Sequence, residues 1–121
     1  MNASTNTPSP QRYASVIGLK PERMEEYKKI HANTWPGILD LIRVANIRNY
    51  SIHLSRFADG KLYLFSYFEY IGNDFEGDME RMANDPLTQE WWALAKPMQI
   101  PLEHRQDDEW WAGMEEVFFT D

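Results

Sequence analysis

Tyr27, His31 and Trp35 recur every four residues. On a helix that spacing stacks a phenol, an imidazole and an indole along one face. Pro36 follows directly, and a proline bends or breaks a helix where it falls. The imidazole titrates near neutrality, so it can give and take a proton at working pH. Phenols and indoles add flat apolar faces with a polar O–H or N–H at the rim. The set suits proton transfer to a small neutral polar ligand. A core-facing stripe with an incidental histidine is the other reading, because periodic apolar faces mostly pack inward. Spacing alone leaves both open.

The remaining inventory excludes several chemistries. The chain has no cysteine, hence no disulfide, thiolate nucleophile or cysteine metal site. It has no Gly-rich phosphate loop, no dinucleotide fingerprint and no nucleophile elbow. His31, His53 and His104 fall on separate segments without ligand spacing, so no metal site is expected. Glu25, Glu26, Asp107 and Asp108 read as solvated faces. The net charge of −7 disfavours nucleic acid and anionic membrane, both of which need a basic surface. No apolar run approaches the roughly 20 residues that span a bilayer, and no signal peptide is recognisable. A cytoplasmic protein is the expectation.

The 121 residues, 43% hydrophobic and 26% charged, suggest one globular domain. Aromatics reach 14%, with five Trp, more than a core this size usually needs. Trp91-Trp92 and Trp110-Trp111 are doublets, and neighbours in a helix or strand cannot both face one core.

Composition predicts a disordered leader over residues 1–11 and a single domain over residues 12–121. Tyr13, Ser15, Ile17 and Leu19 alternate as a first strand. Pro21 opens a helix carrying Met24, Tyr27 and His31, and helical spacing resumes after Pro36 through Ile38, Leu41, Ile42 and Ala45. Tyr50, Ile52 and Leu54 mark a second strand, and Asp59-Gly60 marks a hairpin. The third strand, Lys61 to Tyr70, is apolar or aromatic on both faces, so both must be covered. Asn73 with Glu76 resembles a capping box for a further helix. Asp85-Pro86 opens another, with Leu87, Trp91 and Leu94 or Ala95 inward. Glu115 to Thr120 alternates as a fourth strand.

This order is that of a ferredoxin-like split βαβ fold, of class α+β: a four-stranded antiparallel sheet with helices on one face. A second copy on the open face would give a homodimer, a dimeric α/β barrel.

These residues resemble the L-rhamnose mutarotase family. The matching pieces are Glu26-Tyr27, His31, Trp35-Pro36, Asn49-Tyr50, Trp91-Trp92 and Glu116-Val117-Phe118, in order, across Arg12 to Phe119. The resemblance implies a small dimeric sugar epimerase. His31 would be the catalytic proton donor, Tyr27, Tyr50, Trp91 and Trp92 would contact the sugar, and no cofactor would be required. L-rhamnose is the first substrate expected and L-fucose the second. The chain departs from the family at Gly37, where Glu is frequent, and in a longer tail from Pro97 to Gly113. Two rival classes fit the same fold: a non-catalytic sugar-binding dimer, and an oxygenase of the dimeric ferredoxin-like type.

Overall fold

The computed structural model describes residues 10–121; the leader expected over residues 1–11 lies outside the described residues as far as residue 9. Its last residue is already structured, because strand β1 spans Gln11–Leu19. A 3₁₀ turn leads into α1 (Met24–Ala32), followed by α2 (Pro36–Val44), β2 (Ile47–Arg56) and β3 (Leu62–Tyr70). Then come α3 (Phe75–Asn84), α4 (Pro86–Ala95), β4 (Gln99–Ile100) and β5 (Ala112–Met114). The sheet is antiparallel in the order β2-β3-β1-β4, with β5 also paired to β1. The chain is α+β with the expected split βαβ order. No helix among the described residues is long and apolar enough to cross a membrane.

Alternation places the core. Ile17 pairs with Leu64 and Leu19 with Leu62, and all four are buried against Tyr27, Ala95 and Met98. Ser15 and Ser66 face each other on the same side, their hydroxyls 2.6 Å apart, so neither is left unpaired. Pro36 is the first residue of α2, where its missing N–H costs no hydrogen bond. The expected break between the two helices is therefore real. Gly37 has a packing reason. A Cβ there would stand 2.5 Å from Leu87 Cδ2, so any side chain would displace that leucine of α4.

Three local expectations change. The cap of α3 is Asp74, whose Oδ1 accepts from the Gly77 N–H, and not Asn73. The inward face of α4 is Thr88, Trp91 and Ala95, one position round from Leu87. The closing strand is Ala112–Met114, and not Glu115 to Thr120. Residues 115–120 form no ladder, and Val117 and Phe118 are 88% and 78% exposed. Arg12 holds this tail instead: it pairs with Glu116 at 2.6 Å and lies 3.4 Å over the Phe119 ring.

β2 carries the irregularity that matters for the site. Its register against β3 shifts between Arg48 and Ser51, and Asn49 has φ +50°. This bulge lets Ile47 and Tyr50, three residues apart, both face the helices. Asn49 turns to the other face, where its Nδ2 donates to Glu69 at 2.9 Å. That open face also carries Tyr63, Phe65 and Tyr67, with the exposed Phe57 packed on Tyr63 and Phe65.

Candidate active site

A cavity of about 530 Å³ opens between α1, α2, α4, β2 and the tail. That is the size of a small-molecule site, roughly 300–1,000 Å³. Tyr27, His31, Tyr50, Trp91 and Trp92 all line it, although they come from three separate elements.

In α1, the Tyr27 and His31 rings stack with centroids 4.1 Å apart. His31 Nδ1 lies 2.8 Å from the Tyr27 carbonyl oxygen. A carbonyl only accepts, so Nδ1 must carry the proton, and the neutral ring keeps a free lone pair on Nε2. Burial pushes the His31 pKa below its ordinary 6.5, opposed by the bond to the Tyr27 backbone. The ring is therefore neutral at pH 7, with Nε2 as an acceptor. The end of α1 leaves the His31 carbonyl without an intrahelical partner, and the Thr34 hydroxyl donates to it at 2.8 Å.

Trp91 is buried on α4 and meets His31 edge-on at 5.4 Å and Trp35 edge-on at 5.0 Å. Trp35, at the start of α2, braces Trp91 from behind and is not part of the cavity wall. Trp92 lies at the rim, with Lys96 Nζ 4.6 Å from its ring centroid. Tyr50 reaches in from the β2 bulge, 43% exposed and edge-on to Phe68.

Several wall residues were not foreseen. Gln99 is 8% exposed, its Nε2 donating to the Tyr27 hydroxyl at 3.1 Å. Trp110 Nε1 donates to Gln99 Oε1 at 2.7 Å. The tail thus adds both Trp110 and Trp111 to the cavity. Gln99 offered a faint signal, a lone amide between Pro97 and Pro101 in an apolar run. Thr88 also lines the cavity, and its buried hydroxyl oxygen has no hydrogen-bond partner among the described residues. Among the described residues, Lys96 is the one Lys or Arg lining the cavity, held over Trp92 and Trp110. His53 stands on the open sheet face beside Ser51, and His104 is exposed in the tail; neither joins the cavity. Among the described residues, no three acidic or histidine side chains gather in a metal-binding group.

The arrangement offers one neutral imidazole acceptor, a phenol beside it and walls of aromatic rings. Burial raises the Tyr27 phenol to about 12, against the opposing bond from Gln99, so it stays protonated and able to donate.

Comparison with known proteins identifies the family of the chain. The L-rhamnose mutarotase family model matches residues 12–120. An L-rhamnose mutarotase of Mesorhizobium japonicum is 34% identical over 104 residues, covering 78% of this chain and 93% of that one. One from Sinorhizobium fredii is 32% identical, covering 82% of this chain and 86% of its own length. The crystal structure of an L-rhamnose mutarotase from Formosa agariphila shares the fold, with a TM-score of 0.65 at 21% identity, covering 92% of this chain and 99% of that one. With a family match over nearly the whole described chain, this protein belongs to the L-rhamnose mutarotase family of isomerases.

Proposed function

We propose that this protein interconverts the α and β anomers of a neutral 6-deoxyhexose, L-rhamnose first and L-fucose second. The observation that carries the reading is the His31 tautomer. Its Nδ1 proton is tied to the Tyr27 carbonyl, which leaves Nε2 as a base on the wall of a sugar-sized cavity, in place of the proton donor that the family resemblance implies. In the forward step, Nε2 takes the proton of the anomeric hydroxyl and a neighbouring hydroxyl protonates the ring oxygen. The bond from the anomeric carbon to the ring oxygen breaks, leaving an open-chain aldehyde. The aldehyde turns about the next C–C bond. The ring oxygen then attacks the other face and returns its proton, while the imidazolium gives its own to the new anomeric oxygen. All protons are returned, so this cycle needs no cofactor. Such a positioned acid–base group is worth about 10²–10⁴-fold.

Tyr27, Tyr50, Trp91 and Trp92 are the proposed sugar contacts. Rings of this kind cover C–H faces and the C6 methyl, while their O–H and N–H groups reach hydroxyls. The relatives named as L-rhamnose mutarotases support the order of sugars. A homodimer is part of the proposal. The aromatic face of β3 that the helices leave open supports it, because burying apolar area is worth about 25 cal/mol per Å².

Proton NMR exchange between anomers tests the reading, with L-rhamnose, L-fucose and a hexose 6-phosphate compared side by side. Acceleration for L-rhamnose above L-fucose is expected. Acceleration for L-fucose alone reverses the order. Preference for the phosphate would make Lys96 an anion partner and overturn the neutral-sugar argument. Binding without acceleration would leave a sugar-binding dimer.

A further inference from the structure

We infer that Gln99, held by Trp110, is a positioning residue that makes the Tyr27 phenol a hydrogen-bond donor to the sugar's ring oxygen. The inference rests on the mutarotase reading above.

The argument follows proton directions through the buried chain Trp110–Gln99–Tyr27. An indole N–H can only donate, so the Gln99 atom 2.7 Å from Trp110 Nε1 must be the amide oxygen. A flipped amide would set two donors against each other at that distance. The amide nitrogen is therefore the end that meets the Tyr27 hydroxyl at 3.1 Å, and it too can only donate. Tyr27 oxygen is the acceptor of that bond. Its own proton is left over, and among the described residues no acceptor takes it. Tyr27 lines the cavity beside the His31 ring, so the free O–H is available there to a ligand.

Two groups with opposite proton roles thus lie in one stack. His31 Nε2 accepts because Nδ1 is committed to a carbonyl; Tyr27 donates because its oxygen is committed to an amide. Ring opening needs this pair: one proton leaves the anomeric hydroxyl and one arrives at the ring oxygen. The tail that carries Trp110 is therefore part of the catalytic arrangement, acting through Gln99.

The test separates direction from scaffolding. Gln99→Glu keeps both bridging bonds, but a carboxylate accepts from both neighbours and so captures the Tyr27 proton. Gln99→Met keeps the bulk and makes neither bond. If Gln99 sets direction, Gln99→Glu falls furthest, by about 10²-fold or more in kcat with KM little changed. Gln99→Met then falls by about tenfold. If Gln99 only braces Tyr27, the order is reversed, because the glutamate still spans the gap.

Both substitutions are repeated in the Tyr27→Phe background, where no phenol proton exists to be directed. Their added cost should vanish there, as expected of residues acting as one unit. A Gln99→Glu protein at least as active as Gln99→Met overturns the inference, and so does a cost that persists in the Tyr27→Phe background. Should Gln99→Glu fail to fold, Trp110→Phe decides. It frees the amide to flip, and should cost about tenfold in kcat; wild-type kcat would refute the relay. A wild-type protein that fails to accelerate anomer exchange sinks the mutarotase reading, and this inference with it. Wild-type activity with the wrong order of variants sinks only the inference.

Discussion

His31→Asn should remove the chemistry while keeping the scaffold. The structure already contains the geometry the variant would adopt. Asn33 Nδ2 donates to the Lys29 carbonyl, four residues back, at 2.9 Å. An asparagine at position 31 stands in the same relation to the Tyr27 carbonyl and can replace the His31 Nδ1 bond of 2.8 Å. What cannot be replaced is the Nε2 lone pair. Losing a positioned acid–base group costs about 10²–10⁴ in rate, or about 3–5 kcal/mol of transition-state stabilisation. The fold loses less. The stack on Tyr27 and the edge contact with Trp91 disappear, each worth about 0.5–1.5 kcal/mol beyond its buried area. The variant should therefore melt lower by about 1–3 kcal/mol of stability and remain folded. The assay is magnetisation transfer between the anomeric protons of α- and β-L-rhamnose at equal concentrations of wild type and variant. A folded His31→Asn protein whose exchange rate stays within about threefold of wild type would refute the assignment.

Other expectations can be checked in parallel. Because burial lowers the His31 pKa from 6.5, exchange should be flat at neutral pH and fall on an acid limb with its midpoint below 6.5. Stability should follow the same sign. The unfolded histidine takes up its proton at higher pH than the folded one, so the folded state loses ground as pH drops below 6.5. A midpoint above 6.5 in a rate profile would contradict both statements. Phe65→Asp places a charge on the open aromatic face and should split the proposed homodimer or drive aggregation, since a buried unpaired charge costs on the order of several kcal/mol. Sedimentation of the wild type at micromolar concentration should give twice the 14.3 kDa of one chain, and a stable monomer would count against the dimer.

The parts of the fold that sequence exposes are those governed by local periodicity. Tyr13 to Leu19 alternates because that strand has one face on the helices, while Leu62 to Tyr70 is apolar or aromatic on both faces, with Leu62, Leu64, Ser66 and Tyr70 on the buried one. The Tyr27–His31 step and the Pro36 break are equally local. Glu115 to Thr120 misled for a related reason. Alternation there reports side chains able to line a pleated surface, whereas Arg12 holds the segment without ladder bonds. At the cavity, Tyr27, His31, Tyr50, Trp91 and Trp92 could be named from sequence, and the structure brings all five to the lining of one cavity. Gln99, Thr88 and Lys96 could not. Each depends on how the tail and α4 are placed in space, and none falls in a pattern that a polar residue shares with others of its kind. The bulge at Asn49 was hidden too, since one extra residue leaves the Tyr50–Ile52–Leu54 alternation untouched.

The edge of the sheet next to β1 is made in two pieces, β4 and β5, with residues 101–111 running between them. Both ends of that excursion are pinned to the same strand. At the first anchor the backbones are so close that a Cβ on Gly18 would stand 2.8 Å from the Ile100 carbonyl oxygen. Changes in the length or composition of the excursion are therefore absorbed between two fixed posts and do not shift the register of the sheet. Trp110 and Trp111 arrive at the cavity from this segment. For protein engineering it is an exchangeable cassette: replacing residues 101–111, Trp110 and Trp111 included, would vary one part of the pocket lining without touching the helix that carries His31.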